Sequence, residues 1–137
     1  MSRKDRCLIS PWSIRPTLKS PSTSRRSGKV VHKTIMSTGL FELGALRVRA
    51  LRADAYAVAD LLLENAFIDM SFRIGKGRSE LEKRNMGEAI FSTVTRTLAA
   101  LFDTPHFALS LEIREIDLDL SWKKNAIHPR LWRRTNG

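Results

Sequence analysis

The chain has 137 residues, and its single cysteine, Cys7, excludes a disulfide framework and a multi-cysteine metal site. This length suits one domain, and charged residues interrupt every apolar stretch well before the roughly 20 residues that span a bilayer. The net charge of +10 is typical of a nucleic-acid-binding protein. However, residues 1–33 contain nine Lys/Arg and one acid, whereas residues 34–137 contain fifteen Lys/Arg and thirteen acids, so the charge is concentrated at the N-terminus.

The composition predicts a disordered basic leader over residues 1–30 and a folded domain over residues 31–137. In the leader, Pro11, Pro16 and Pro21 recur among Ser and Arg residues without apolar periodicity. Arg- and Ser-rich N-termini resemble transit peptides, and basic tails bind nucleic acid, so a targeting or binding role is a competing interpretation. Because amphipathic periodicity is missing, transit targeting is the less favoured interpretation, and nucleic acid is expected even less as a partner.

The first elements of the domain follow from the spacing of its apolar residues. A helix is predicted to end over residues 30–38, with Gly39 as its C-terminal stop. Residues 45–51 alternate between apolar and basic side chains, which predicts a strand with one solvated face. Residues 55–63 are weakly specified and suggest a short helical turn, and a second alternating strand covers residues 66–74.

The strongest predicted helix begins after Ser79, which forms a capping-box pattern with Glu82. Its apolar residues recur at helical intervals as far as Phe102. A third strand covers residues 107–116, and the tail, residues 118–132, suggests a short strand or hook. The order helix, strand, strand, helix, strand implies two βαβ-type halves, with the strand before the first helix missing or replaced.

Several segments carry a specific resemblance, above all the Gly-x-x-Arg-x-Arg and Gly-x-Gly-Arg-Ser patterns in that order. They resemble the 5-carboxymethyl-2-hydroxymuconate Δ-isomerases of the tautomerase superfamily over about residues 31–132. The resemblance rests on residues 38–49 (Thr-Gly-Leu-Phe-Glu-Leu-Gly-Ala-Leu-Arg-Val-Arg), 66–70 (Ala-Phe-Ile-Asp-Met), 74–79 (Ile-Gly-Lys-Gly-Arg-Ser), 109–113 (Leu-Ser-Leu-Glu-Ile) and 124–128 (Lys-Asn-Ala-Ile-His).

The resemblance implies an α+β fold, the tautomerase or MIF-like β-α-β-β-α-β subunit, which assembles as a cytoplasmic homotrimer. It implies an isomerase that shifts a double bond, by keto-enol or dienol proton transfer, in 5-carboxymethyl-2-hydroxymuconate or a similar carboxylated muconate of homoprotocatechuate degradation. No cofactor, metal or membrane partner is expected. The proton is carried by an N-terminal proline, whose secondary amine has a pKa lowered toward neutral in an apolar, cation-lined pocket.

The family's two active-site arginines correspond to Arg47 and Arg78, which the resemblance therefore identifies as catalytic and substrate-binding. Arg49 shares a strand face with Arg47 and is a further substrate-binding candidate. Arginines on such a face are more often solvated surface residues, so the assignment of Arg47 as a substrate ligand depends on the family resemblance. Arg78 follows a Gly-x-Gly turn at the start of a helix, where backbone N–H groups favour an anion. The three histidines show no metal-ligand spacing, which predicts no metal site and leaves surface or capping roles for His32, His106 and His128.

The N-terminal segment departs from the family because it reads Met-Ser-Arg, without Met-Pro. Codon junctions across residues 6–25 are compatible with a shifted frame that reads Met-Pro-His-Phe and later Glu-Tyr-Ser-Ala-Asn-Leu-Glu. Our hypothesis is that the leader arises from a frameshift or a misplaced start, with the family frame rejoined at residues 29–31. We therefore expect impaired activity from this chain. The alternative is a non-catalytic tautomerase-fold protein with a basic binding or targeting leader.

Overall fold

The structure is a computed structural model that describes residues 7–10, 12–14, 21–53 and 55–136. These residues have an α+β fold, as the sequence predicts. The elements in chain order are β1 (Cys7–Ser10), β2 (Trp12–Ile14), α1 (Pro21–Ser37), a 3₁₀ turn (Leu43–Ala45), β3 (Ala50–Arg52), β4 (Ala66–Gly75), α2 (Glu80–Thr97), α3 (Ala99–Phe102), β5 (Phe107–Ile116) and α4 (Ile127–Asn136).

β4 is the central strand of a three-stranded sheet with the order β1-β4-β5. β5 runs parallel to it, with Ala66 opposite Phe107 and Gly75 opposite Ile116. β1 runs antiparallel along the other edge of β4, and β2 pairs with β3 in a separate parallel ladder. Because β4 and β5 are parallel, their connection has to cross one face of the sheet, and it contains α2 and α3.

The core lies between the sheet and the helices α1 and α2. Alternate residues of β4 point into it, which explains why that segment alternates in the sequence. The predicted apolar face of α2 is confirmed, although Leu81, which the same pattern included, is 66% exposed. The most deeply buried side chains are Val31, Ile35, Ile68, Met70, Phe72, Ile74, Met86, Ile90 and Val94.

The structure describes part of the N-terminal segment. α1 begins at Pro21 and continues through residue 30 to Ser37. Proline suits a first helical position because its fixed φ is already helical and its missing N–H has no intrahelical partner there. Cys7–Ser10 occupies the strand position that the sequence leaves missing or replaced, and β4 therefore has a partner on both edges. Trp12–Ile14 of the predicted leader forms β2, and residues 1–6, 11 and 15–20 lie outside the described residues.

Three predictions need correction. The strand expected over residues 45–51 is shortened to β3, because the chain first makes the 3₁₀ turn. Residues 55–63 form turns in place of the expected helical turn. Ala59 and Leu61 have φ values of 47° and 66°, and a right-handed helix requires negative φ values. The tail forms a helix, α4, where a short strand or hook was expected.

Within the described parts of the chain, the helices are too short or too polar to cross a membrane.

Candidate active site

The residues after α1 form the centre of the candidate site. Gly39, with φ of 68°, ends α1 as predicted, and the chain then continues through the 3₁₀ turn into β3. We refer to residues 38–49 as the α1–β3 segment; it contains the Gly-x-x-Arg-x-Arg pattern. Phe41 is buried in this segment and packs edge-on against Phe72 of β4, with 5.6 Å between ring centroids. This contact anchors the segment to the sheet.

Arg78 reaches the α1–β3 segment from the turn that follows β4. Its Nη2 donates a hydrogen bond to the Leu40 carbonyl at 2.9 Å, and its Nη1 donates to the Gly75 carbonyl at 3.4 Å. The guanidinium carbon lies 4.2 Å from the centroid of the Phe41 ring, close enough for a cation–π interaction. Gly77, whose φ is 110°, gives the turn the geometry it needs. Arg78 is therefore half-buried and held in place.

The start of α2, next to Arg78, is capped by its own side chains. The Ser79 hydroxyl accepts from the Glu82 N–H at 3.1 Å, and the Glu82 carboxylate accepts from the Ser79 N–H at 2.9 Å. This confirms the predicted capping box. It also means that two of the N–H groups that the sequence offers to an anion are already occupied, and that two acids, Glu80 and Glu82, stand in the first turn. The terminus of α2 is therefore less available to an anion than the sequence suggests.

Arg47 and Arg49 lie together on the exposed face of the α1–β3 segment. Burial alternates along it, since Leu46 is buried and Val48 packs against the core while both arginines are exposed. This agrees with the predicted solvated face. Neither guanidinium has an ion pair with a described residue.

The start of α4 packs directly on the 3₁₀ turn. The Asn125 amide donates to the Gly44 carbonyl at 2.8 Å, while its Oδ1 accepts from the N–H groups of Ile127 and His128. The His128 ring lies 2.6 Å from the Glu42 carboxylate. A Cβ added at Gly44 would stand 2.7 Å from the His128 Cα, so only glycine allows this approach.

A cavity of about 500 Å³ lies between the 3₁₀ turn and α4. Its lining combines apolar side chains with an acid, an imidazole and a guanidinium: Glu42, Leu43, Gly44, His128, Leu131, Trp132 and Arg134. None of the three predicted site arginines lines this cavity.

Three of the segments that carry the family resemblance therefore meet at one place. The α1–β3 segment is contacted by Arg78 near one end and by Asn125 and His128 at its 3₁₀ turn. The structure brings Arg78 to the segment that bears Arg47 and Arg49, and a shared cleft for Arg47 and Arg78 stays a prediction.

Sequence reasoning did not identify Glu42, Asn125 or His128 as parts of this arrangement. His128 was assigned a surface or capping role by default, although it stands in the Lys-Asn-Ala-Ile-His segment that the resemblance singles out. The sequence signal that could have indicated the start of α4 is Asn125, a residue typical of helix N-termini, followed by Ile127 and Leu131, two apolar residues at helical spacing.

Comparisons with known proteins support the family resemblance. A sequence model of the 5-carboxymethyl-2-hydroxymuconate isomerase family matches residues 18–131. The chain is similar to a 5-carboxymethyl-2-hydroxymuconate Delta-isomerase of Escherichia coli, with 35% identity over 98 residues, which are 72% of this chain and 78% of that protein.

Solved structures show the same fold. The crystal structure of a 5-carboxymethyl-2-hydroxymuconate isomerase from Deinococcus radiodurans R1 superimposes with a TM-score of 0.84 and 30% identity, covering 93% of this chain and 96% of that one. A fused 4-OT, described as a wild-type symmetric trimer, has a TM-score of 0.63 and 14% identity over 88% of this chain and 97% of its own, which shows the fold alone.

Proposed function

Since the chain belongs to the 5-carboxymethyl-2-hydroxymuconate isomerase family of the tautomerase superfamily, we propose that it acts on 5-carboxymethyl-2-hydroxymuconate or a similar carboxylated muconate. The reaction is a double-bond shift by keto-enol or dienol proton transfer in homoprotocatechuate degradation. It needs neither cofactor nor metal, and it takes place in the cytoplasm.

One observation supports this proposal above the others: Arg78 is fixed on the segment that bears Arg47. Hydrogen bonds to two carbonyl groups and the Phe41 ring restrict its guanidinium before substrate arrives. A preorganised cation loses less side-chain entropy on binding a carboxylate than a free one does. It also stabilises negative charge that develops on the substrate without reorganising.

The two arginines have distinct roles in the proposal. Arg78, half-buried beside Phe41, binds one carboxylate and polarises the carbonyl, because the aromatic ring excludes water from one side of its charge. Arg47, which is exposed, binds the second carboxylate, with Arg49 as an additional cation on the same face. Charge-assisted hydrogen bonds of this kind are geometrically specific for carboxylates.

The proton is transferred by an N-terminal proline, which the shifted reading frame supplies. A polypeptide that starts Met1-Ser2 has a primary amine at its N-terminus in place of the proline's secondary amine, so we propose that its turnover is severely impaired. The two halves of the mechanism are therefore separable, since carboxylate binding depends on the arginines and turnover depends on the amine.

We further propose that the protein is a homotrimer. The fused 4-OT that shares its fold is described as a symmetric trimer. The described residues also expose large apolar side chains, among them Leu63 at 79%, Leu120 at 71% and Trp122 at 85%, which is unfavourable in a lone subunit.

Binding of a muconate dicarboxylate to the full chain tests the arginine assignment without requiring turnover. Calorimetric titration with cis,cis-muconate is expected to give an affinity that falls about tenfold or more in Arg47→Gln and in Arg78→Gln, because each loses a charge-assisted hydrogen bond of about 1.5–3 kcal/mol. Arg84→Gln is the matched control, since Arg84 is an exposed arginine of α2 outside the proposed site.

Arg78 also supports the fold, so circular dichroism melts accompany the titrations. An Arg78 variant that melts like the wild type and binds muconate equally well contradicts the assignment. Equal losses in all three variants would indicate a non-specific charge effect and favour the non-catalytic alternative.

A further inference from the structure

The cavity between the 3₁₀ turn and α4 is lined by residues that have no role in the proposed isomerase reaction. Its walls include Leu43, Leu131 and Trp132, and two of these remain well exposed, Leu43 at 49% and Trp132 at 64%. Apolar surface exposed at a concave site favours a ligand that covers it. An aromatic side chain at such a site favours a flat, apolar ligand that stacks on it.

The charges around this cavity determine which end of a ligand can be polar. Glu42 is engaged by His128, at 2.6 Å, so this acid has its own partner. Arg134 lines the same cavity, and it forms no ion pair with any described residue. The cavity therefore offers an open guanidinium next to an aromatic wall, while its acid is occupied.

The floor of the cavity is formed by direct contacts between its two walls. Gly44 and the backbone of His128 are in close contact, and the Asn125 amide ties the 3₁₀ turn to the start of α4. Binding there orders little additional chain, because the two walls are already joined.

We propose that this cavity binds an aromatic monocarboxylate, with its ring against Trp132 and its carboxylate on Arg134. The site is independent of the proposed isomerase chemistry, since Arg47, Arg49 and Arg78 do not line it. A volume of about 500 Å³ lies within the range of small-molecule pockets, about 300–1,000 Å³.

Phenylacetate is a suitable probe, and the indole N–H signals of the full chain are a suitable readout by two-dimensional NMR. The chain has three tryptophans, so Trp132→Phe identifies the signal of Trp132, and Trp122→Phe is the matched control. Phenylacetate is expected to shift the Trp132 signal in a saturable way. In Arg134→Gln its affinity is expected to fall about tenfold, as for loss of one charge-assisted hydrogen bond.

Arg133→Gln is the matched control for charge, because Arg133 is adjacent on α4 and does not line the cavity. Benzyl alcohol, which keeps the ring and lacks the carboxylate, is expected to bind weakly and equally to the wild type and both variants. An unchanged Trp132 signal on adding phenylacetate, or equal effects of the Arg133 and Arg134 substitutions, would overturn the proposal. Muconate binding at Arg47 and Arg78 is measured separately, so failure here leaves the proposed function intact.

Discussion

At the scale of single residues, the arrangement depends most on a glycine. Gly44 is buried under α4, and the atoms nearest to a Cβ at this position would belong to His128: its Cα at 2.7 Å, its Nδ1 at 2.9 Å and its own Cβ at 3.0 Å. The first of these is backbone, so a new side chain cannot be accommodated by a rotamer change alone. Glycine is therefore required at this position by the close contact with α4, and not by a positive φ.

We expect Gly44→Ala to destabilise the fold by about 1–3 kcal/mol, the usual cost of forcing extra atoms into a packed contact. The reason is that α4 has to move away from the 3₁₀ turn, which also strains the Glu42–His128 pair. Urea unfolding followed by circular dichroism measures the loss. Gly28→Ala is the control. Gly28 lies in α1, and a Cβ added there would be within 4 Å of a Val48 methyl group alone, at 3.8 Å. It is expected to stabilise by up to about 1 kcal/mol through helix propensity. If Gly44→Ala and Gly28→Ala have the same stability, the close contact is not important.

At the scale of elements, the sequence predicts best where local signals and tertiary packing agree. β4 and β5 are found within one residue of their predicted bounds, because apolar and polar side chains that alternate over this many residues are typical of a strand and do not suit a helix. The start of α2 is predicted to the residue, since Ser79 and Glu82 specify it by chemistry that needs no other part of the chain.

The elements that the sequence misses are those shaped by partners distant along the chain. α4 has Pro129 as its third residue and four cationic or imidazole side chains, so its pattern looks irregular. Proline is tolerated there because the N–H groups of the first turn lack intrahelical acceptors. The helix also depends on Gly44, which lies 81 residues before Asn125, and no local reading of the sequence contains that contact.

The capping box of α2 provides a test at this scale. Ser79→Ala removes the hydroxyl that accepts the Glu82 N–H, and it is expected to lower the free energy of unfolding by about 1 kcal/mol. Ser92→Ala is a matched control, because Ser92 is an exposed serine in the middle of the same helix, where alanine is neutral or slightly favourable. Urea unfolding of both variants gives the comparison. Equal stabilities would show that the cap contributes nothing beyond helix propensity.

At the scale of the whole molecule, the sequence identified the fold class and the family, and it identified the candidate arginines through resemblance. The contacts around the α1–β3 segment join residues 40–44, 78 and 125–128, which are far apart in the chain. Composition and periodicity do not indicate which distant segments of the chain come into contact. This is why the pairing of Glu42 with His128 was not predicted, and why Arg47 and Arg78 were proposed from family likeness alone.

In the proposed function, the N-terminal segment supplies the amine that transfers the proton. The family model matches residues 18–131, so residues 1–17 lie outside that match, as do residues 132–137. The shifted reading frame would place a proline at the N-terminus after removal of the initiator methionine. General-base catalysis by a positioned group contributes about 10²–10⁴-fold to a rate.

We therefore expect that replacing residues 1–30 by the shifted-frame segment, which begins Met-Pro-His-Phe, raises isomerase turnover at least about 100-fold over the 1–137 polypeptide. An otherwise identical protein with alanine in place of that proline is the matched control, because it keeps the rest of the new segment and loses only the secondary amine. Steady-state kinetics with 5-carboxymethyl-2-hydroxymuconate, together with light scattering to compare each mass with three times the 15.6 kDa subunit, separates catalysis from assembly. Because the amine and the arginines act on different steps, the alanine control should still bind muconate as a trimer while it turns over slowly. Full turnover by the 1–137 polypeptide, or by the alanine control, would contradict the role of the proline.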